Sequence, residues 1–333
     1  MLVVGGGITG VSLLHHLGAR GLDAVLVERN HLAAGASGRN AGFVLAGVAA
    51  SYAEAVRAYG RDQARGIWHL TSENHDAMLD AVAGQPVGHV RGGSAVLASG
   101  PDEARQLEES EQLLREDGFK ARWDGVRLTM ARDGGIDPAA LVGALARRAQ
   151  PTAIREGVNV TALEAGRHGV TVQAGEDECY AGVVILATNA YTPELVAQVP
   201  IKPTRAQILA AGPVAQGVSD MPTYSHYGYR YWRQLATGEV LIGGWRDTAL
   251  DREVGYSDQT TPEIQAHLDA QLGRLGAAGP VTHRWAGTMG FTESGLPLVG
   301  PIDELPNVHL CAGFNGHGLG FAFLSAKQLV ESL

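Results

Sequence analysis

The residues of this 333-residue chain most clearly arranged to hold a ligand are glycines. Gly5, Gly7 and Gly10 stand as G-x-G-x-x-G directly after the apolar run Leu2-Val3-Val4. Ile8, Val11, Leu14 and Leu17 then recur at three-residue spacing, which predicts a helix stopping at Gly21. A second apolar run, Ala24-Val-Leu-Val27, ends in Glu28. This is the pattern of a dinucleotide site. Gly5 permits the tight turn, Gly7 lets a pyrophosphate approach the backbone, and Gly10 lets helix and strand pack closely. The helix N-terminus offers free N–H groups and a partial positive charge, and Glu28 can accept hydrogen bonds from a ribose diol. The motif alone leaves NAD and FAD open. An ordinary α/β crossover is the plain alternative.

Further groups recur near such a site. The small-residue loop at 33–42 supplies the hydroxyl of Ser37, the N–H fork of Arg39 and the amide of Asn40, suited to a second phosphate contact. Near the other end of the sequence, Val308-His-Leu-Cys-Ala312 runs into Gly313-Phe-Asn-Gly-His-Gly-Leu-Gly320 and a final helix. This second strand–glycine loop–helix unit offers another helix N-terminus to negative charge. Aromatic residues concentrate at Tyr224, Tyr227, Tyr229, Tyr231, Trp232 and Trp245. Alternation of Tyr227, Tyr229 and Tyr231 predicts one face of one strand. That face either covers a flat cofactor or packs on a helix or a second copy of the chain.

The elements that must position these groups are those of an α/β protein. Residues 51–82 read as one long helix or two shorter ones. Residues 90–97 read as a strand with an irregularity at Gly92-Gly93. Residues 101–117 form an amphipathic helix with Leu107, Leu113 and Leu114 inward and Glu and Arg outward. Asp137 and Pro138 open another helix as N-cap and first residue, which runs to about Ala149. Short strands follow at 158–163 and 170–173, then a buried strand at 183–187 leading into Thr188-Asn189-Ala190. Beyond Ile208 strands alternate with turns at 208–209, 224–232 and 239–245, before a helix from Pro262 to about Leu275.

With 45% hydrophobic and 18% charged residues the chain is globular rather than disordered, and the net charge of −9 argues against a nucleic-acid partner. No run of 18 apolar residues is present, so no membrane span is expected, and with no signal segment visible a cytoplasmic location is expected. The abrupt first strand suggests a natural chain that begins a few residues earlier. Cys179 and Cys311 are distant in sequence and lie in or beside apolar segments, so two buried free thiols are expected. No metal site is expected. The adjacent His15 and His16 do not share a helix face.

Taken together, Val4-Gly-Gly-Gly-Ile-Thr-Gly10, Glu28-Arg29, Ala36-Ser-Gly-Arg-Asn-Ala-Gly42, Asp137-Pro138, Ala187-Thr-Asn-Ala190, Trp285-Ala-Gly, Gly295-Leu-Pro-Leu-Val-Gly300 and Gly313-Phe-Asn-Gly-His-Gly318 resemble the FAD-dependent amine and amino-acid oxidoreductases related to D-amino-acid oxidase, glycine oxidase and monomeric sarcosine oxidase. The Ser-Gly-Arg-Asn and Gly-His-Gly elements are most similar to the branch containing γ-glutamylputrescine oxidase. The resemblance implies a Rossmann-type FAD-binding domain from 1–84, 134–205 and 285–333, interleaved with a mixed antiparallel-sheet α+β substrate domain from 85–133 and 206–284. It implies FAD held by Gly5, Gly7, Ile8, Thr9 and Gly10 at the pyrophosphate, and by Glu28 and Arg29 toward the adenosine ribose. Ser37, Arg39, Asn40, Ala41 and Gly42 would run along pyrophosphate and flavin, with Val160 at the adenine and Ala187 and Asn189 at the cofactor edge. Gly313, Asn315, Gly316, His317 and Gly318 would meet the flavin's pyrimidine side.

Three departures shape the expected chemistry. The family's carboxylate-binding arginine falls at Met289 or a neighbour, which leaves Arg39, Arg230 or Arg246 to take its place. Cys311 is not at the flavin-attachment position of sarcosine oxidases, so FAD is expected to be non-covalent. The oxygen-activating lysine of those enzymes falls at Leu241, so the acceptor is dioxygen or another oxidant. The expected reaction is hydride transfer from a C–H beside nitrogen to flavin N5, giving an imine that hydrolyses. The small-molecule amine or amino acid must react as the neutral amine. His317 and His226 are the candidates for tuning that step, with Tyr227, Tyr229 and Trp245 as pocket walls. Two rival readings are an NAD(P)-linked dehydrogenase, which gives the second glycine loop no role, and a flavoprotein component of a larger dehydrogenase or of a tRNA-modifying enzyme.

Overall fold

The uninterrupted apolar runs form a parallel sheet buried on both faces. The computed structural model describes residues 1–149, 154–215, 217–219 and 221–333. Leu2–Val4 pairs in parallel with Val25–Glu28 on one side and with Val184–Leu186 on the other. Leu305–Ala312 adds in parallel beyond Val184–Leu186, and Ile154–Glu156 adds beyond Val25–Glu28. Leu298–Ile302 closes one edge antiparallel. Val4 lies beside both Val27 and Leu186, and Leu186 beside Leu310, so four strands end along one edge of the sheet. Ligands of open parallel sheets bind at that edge.

Alternation assigns the two faces. Val3, Leu26, Ile185 and Cys311 pack with Ile8, Val11, Leu14 and Leu17 of the first helix, Ile8–Ala19, and with the last helix, Gly318–Ser332. Leu2, Val4, Val27, Leu186 and Leu310 pack instead on Val170 and Val172 of a three-stranded antiparallel meander, Val160–Gly166, Gly169–Ala174 and Asp177–Ala181. Each such fully buried side chain stabilises the fold by about 1.5–3 kcal/mol. The first and last helices are neighbours: His16 Nε2 lies 3.0 Å from the carbonyl of Phe323, and Arg20 donates to the carbonyl of Val330. The two glycine-loop units, at opposite ends of the sequence, therefore stand side by side. Cys311 is buried, but Cys179 is exposed, contrary to the sequence expectation. Its strand is the outer strand of the meander, exposed along its length except at Ala181.

A second, eight-stranded sheet has the order Val281–Phe291, Lys202–Ala211, Val240–Gly244, Arg230–Gln234, Thr223–Ser225, Ser94–Leu97, Arg127–Met130, Ala121–Trp123. All its pairs are antiparallel except Thr223–Ser225 with Ser94–Leu97. The helix Pro262–Arg274 covers one face, packing Ile264, Leu268 and Leu272 on Leu209, Ile242, Trp232 and Trp245. Lys202–Ala211 and Val281–Phe291 each cross an expected division of the chain, at 205/206 and 284/285.

Several elements differ from expectation for local reasons. Residues 51–82 take the second of their two expected forms, two helices, Tyr52–Tyr59 and Arg61–Ala81, broken at Gly60, whose φ is +85°. Of residues 90–97 only Ser94–Leu97 is a strand, while Val90 makes an isolated bridge to Gly135. Glu103 is buried rather than outward, and accepts hydrogen bonds from Ser99 and from the Tyr227 N–H. The stretch 224–232 is a hairpin, not one strand. His226, Tyr227 and Gly228 have φ of +54°, +56° and +80°, and they turn the chain between Thr223–Ser225 and Arg230–Gln234. Tyr227, Tyr229 and Tyr231 consequently do not share a strand face; Tyr231 pairs across the hairpin with Tyr224. Asp137 does cap its helix, accepting from the N–H groups of Ala139 and Ala140.

The loop after Ala249 is tied down by a buried ion pair. Arg205 donates from Nε and Nη2 to the two carboxylate oxygens of Glu253, at 2.9 and 2.7 Å, and Gln207 donates to the same carboxylate. Arg205 also donates to Ser257 Oγ and the Gln259 carbonyl, which fixes the segment carrying Tyr256 and Asp258. Glu253→Ala leaves the guanidinium buried and unpaired, and is expected to cost about 3–5 kcal/mol, read as a large fall in urea midpoint. A second prediction concerns acid. Burial pushes His16 and His75 down to about 4 from the ordinary 6.5. The unfolded chain therefore takes up protons first, and this contribution is complete above pH 6.5 and is lost as pH falls toward 4. Thermal midpoints are expected to drop across that window, and His75→Gln to shrink the drop.

Candidate functional site

Between the strand ends of the parallel sheet and the uncovered face of the eight-stranded sheet lies a cavity of about 700 Å³. Its size suits a large organic ligand. One end is built almost wholly from backbone. Gly5 has a φ of +111°, and a Cβ there would lie 2.7 Å from the Ala187 carbonyl. At Gly7 a Cβ would lie 2.8 Å from Ser37 Oγ, and at Gly10 only 1.9 Å from the Gly5 carbonyl. Gly10 thus sits behind the wall and sets helix against strand, while Gly5, Gly7, Ile8 and Thr9 form the wall itself. The first helix has Gly7 at its N-cap and so no capping side chain. The Ile8 N–H donates to Ser37 Oγ at 2.8 Å, which leaves the Ser37 hydroxyl proton for a ligand.

Glu28 lines the same end. Its oxygens accept from the N–H groups of Gly6 (2.7 Å) and Asn30 (2.8 Å), and each oxygen keeps a lone pair for a hydroxyl. Arg29 is at the rim, over the Tyr191 ring at 4.0 Å and paired with Glu194. Val160 and Ala187 are wall residues. The loop at 33–42 contains a short helix, Ala36–Arg39. Arg39 donates to the carbonyls of Ala34 and Ala286 and pairs with Asp258, while its own carbonyl accepts from Trp285 Nε1. Ala41 is a wall residue. Asn40 is a wall residue too, and its amide also staples the loop: it donates to the Ala36 and Ser37 carbonyls and accepts from the Gly42 N–H. At Gly42 (φ +71°) a Cβ would lie 2.1 Å from the Ile136 carbonyl.

The second glycine loop closes the other end. The Asn189 side chain accepts from the Gly313 N–H at 2.9 Å and joins that loop to the end of Val184–Leu186. Asn315 accepts from the Thr292 N–H and donates to the Gly313 carbonyl. Both amides therefore shape the loop, and both residues line the cavity together with Gly316, His317 and Gly318. The last helix has no capping side chain, and its N-terminus meets the cavity at His317 and Gly318. Burial pushes His317 down to about 4, so its imidazole is neutral at pH 7.

The remaining walls at this end are aromatic and carry little charge. Tyr224, Tyr231 and Phe43 form an edge-to-face cluster, and the Tyr224 ring lies 6.4 Å from that of His317. Burial raises both tyrosines, which keeps their phenols protonated. Thr288, Met289 and Phe291 complete this part of the wall. Among the described residues the buried Thr288 hydroxyl has no hydrogen-bond partner, which leaves a ligand in the cavity to supply one. Arg246 lines the cavity between Tyr229 and Phe291, its guanidinium 4.5 and 4.8 Å from their ring centres.

Two expected catalytic residues lie elsewhere. Trp245 is 2% exposed in the core on the far side of the sheet, stacked on His267. His226 occupies the hairpin turn, bonded through Nδ1 to Ser225 Oγ and outside the cavity wall. Leu241 is likewise outside the wall. Its partner across the sheet, Arg233, is buried and donates to the carbonyls of Gly42 and Ile136. Arg230 pairs with Asp247 and is not a wall residue. Sequence reading missed Phe43, Thr288 and Phe291 as wall residues, and the stacked pair Tyr191–Tyr256. Position beside the Gly-rich loop could have found Phe43. Nothing local marks Tyr256, which is delivered by the Arg205–Glu253 pair.

Among the described residues no helix is long and apolar enough to cross a membrane, and no group of three or more His, Cys, Asp or Glu could hold a metal ion. Comparison with known proteins agrees with the geometry. 4-Methylaminobutanoate oxidase (formaldehyde-forming) of Paenarthrobacter nicotinovorans is 28% identical over 99% of this chain and 43% of its own length. A tRNA 5-methylaminomethyl-2-thiouridine biosynthesis bifunctional protein of Maricaulis maris is 29% identical over 99% of this chain and 51% of its own. The chain thus spans about half the length of these two curated relatives. γ-Glutamylputrescine oxidoreductase of Escherichia coli is 24% identical over 99% of this chain and 82% of its own. The crystal structure of glycine oxidase from Geobacillus kaustophilus superposes with a TM-score of 0.81 at 19% identity, covering 99% of this chain and 94% of that one. The DAO family, FAD dependent oxidoreductase, matches residues 1–332, and this chain belongs to it.

Proposed function

We propose that this chain oxidises the C–N bond of an amine or amino acid, with FAD bound non-covalently. The observation that carries this reading is the near absence of negative charge at the aromatic end of the cavity. The three carboxylates among the described wall residues are all engaged elsewhere: Glu28 on backbone N–H groups, Glu194 on Arg29 and Asp258 on Arg39. His317 is neutral, Tyr224 and Tyr231 are protonated, and Arg246 is cationic. An ammonium ion finds no counter-ion there, so burial and the guanidinium favour the neutral amine. That is the form whose lone pair can expel hydride from the adjacent carbon. When bound, FAD supplies the hydride acceptor. The chain's own residues hold and orient the amine against it and exclude water. Neutral His317 and the Thr288 hydroxyl present hydrogen-bonding groups without an opposing charge.

The relatives support the class. Their names specify a methylamino acid, a glutamylated diamine and glycine as substrates. Neither cysteine is a wall residue: Cys311 is fully buried and Cys179 lies on the outer meander strand. Non-covalent FAD fits that placement, and an exposed free thiol fits a reducing cytoplasm. No lysine is among the described wall residues, which favours a second reading, a dehydrogenase component with an acceptor other than dioxygen.

Anaerobic addition of secondary amines and amino acids to the FAD-loaded chain is expected to bleach the flavin absorbance. A chain that holds FAD yet bleaches with no member of a broad panel overturns the reading. Repetition in air and with an artificial acceptor separates oxidase from dehydrogenase. Gly10→Val places a branched side chain where Cβ alone would lie 1.9 Å from the Gly5 carbonyl. The purified variant is expected to be colourless, with FAD affinity reduced by well over tenfold.

A further inference from the structure

We propose that Arg246 is the anchor for a carboxylate carried by the substrate, so that the amine oxidised is an N-substituted or free amino acid rather than a simple amine or polyamine. This rests on the functional reading above and narrows it.

Three arginines line the cavity: Arg29, Arg39 and Arg246. Arg29 is paired with Glu194. Arg39 spends its N–H groups on the carbonyls of Ala34 and Ala286 and on Asp258. Arg246 alone among them has a side chain with no hydrogen bond or ion pair to any described residue. The neighbouring carboxylate, Asp247, is paired with Arg230. The guanidinium is nonetheless fixed. It lies over the ring of Tyr229 at 4.5 Å and that of Phe291 at 4.8 Å, contacts worth more where water is excluded. The two rings flank the guanidinium and do not compete for its N–H groups. An oriented, unspent fork of N–H donors matches a planar carboxylate in bidentate fashion.

The position suits a substrate group better than a cofactor phosphate. The backbone cradle for phosphate is at Gly5, Gly7 and Ser37, whereas Arg246 sits with Tyr229, Phe291 and Met289, on the sheet that covers the aromatic end. Arg246 is delivered there by Gly244 and Trp245. At Gly244 (φ +114°) a Cβ would lie 2.0 Å from the Tyr229 carbonyl, and Trp245 takes a φ of +63° with its ring buried in the far core. The chain is thereby pinned on one side of the sheet while the next side chain enters the cavity on the other. A cation there serves twice: it pairs with the carboxylate and disfavours the ammonium form of the same molecule.

The test uses the FAD-loaded chain and the unbranched monocarboxylates from acetate to hexanoate, which carry no amine and cannot react. Binding is read from perturbation of the flavin spectrum and by calorimetry. The wild-type chain is expected to bind these acids with a length optimum, and their neutral amides far more weakly. Arg246→Gln is expected to weaken carboxylate binding by about 10–100-fold, and Arg246→Lys by less, both with unchanged FAD affinity. Unweakened carboxylate binding by Arg246→Gln overturns the proposal, as does equal binding of acids and amides by the wild type. A loss of FAD affinity in Arg246→Gln also overturns it, since the guanidinium then serves the cofactor. Carboxylate binding through Arg246 without flavin bleaching by any amine sinks the amine-oxidation reading and leaves the anion site standing.

Discussion

The structure depends on how closely backbone can approach backbone at the ends of the central strands. A Cβ at Gly10 would sit 1.9 Å from the Gly5 carbonyl, and one at Gly5 would sit 2.7 Å from that of Ala187. Only glycine allows the first helix to begin directly over the strand it follows. That placement aims the helix N–H groups across the edge where Val4, Val27, Leu186 and Leu310 stand side by side. The last strand uses the same edge, and its glycine loop is locked by Asn189 to the neighbouring strand end. Two helix N-termini, from opposite ends of the chain, are thus brought to one cavity by parallel pairing.

The second sheet supplies what the first cannot. Parallel strand ends and glycine turns offer N–H groups and room, but few side chains. The hairpin Thr223–Ser225 and Arg230–Gln234 brings Tyr224 and Tyr231 over the same cavity, and Val281–Phe291 brings Thr288, Met289 and Phe291. Buried polar ties hold this roof to the cradle. Arg233 donates to the Gly42 and Ile136 carbonyls, Trp285 donates to the Arg39 carbonyl, and Arg205 with Glu253 fixes the segment of Tyr256 and Asp258. Each satisfies groups whose unpaired burial costs about 1–3 kcal/mol. The relative position of cradle and roof is therefore set by specific bonds as well as by apolar packing.

The cradle was legible in the sequence because its constraints are local. A strand, a glycine spacing, a helix period and a terminal acid fall within residues 1–28, and each restricts its own backbone. The roof was legible only as texture. Alternation of Tyr227, Tyr229 and Tyr231 reads as a strand face unless it is known that His226 and Tyr227, neither a glycine, take positive φ and turn the chain. Trp245 reads as a pocket wall until the helix Pro262–Arg274 is seen to cover that side of the sheet. Asn40, Asn189 and Asn315 read as ligand-facing amides and do line the cavity, but the local sequence does not show that they also tie down loop backbone. Which partner a side chain chooses is decided by packing between distant segments, and the local sequence does not carry that choice.

The two ends of the cavity accordingly obey different rules of change. At the cradle the groups facing a ligand are mainly backbone N–H, and most substitutions would collide with a carbonyl before altering any chemistry. At the roof the groups are side chains from separate segments: Phe43, Tyr224, Tyr231, Arg246, Thr288 and His317. Among the described residues, no side-chain hydrogen bond of Tyr231, Arg246, Thr288 or His317 holds the cradle in shape, as those of Asn189 and Asn315 do. A cofactor site can therefore persist while the roof is rewritten. Met289 and Arg246 are both on the roof side: Arg246 follows the end of Val240–Gly244 and lies between the rings of Tyr229 and Phe291, so the charge at this end can change without disturbing the glycine turns.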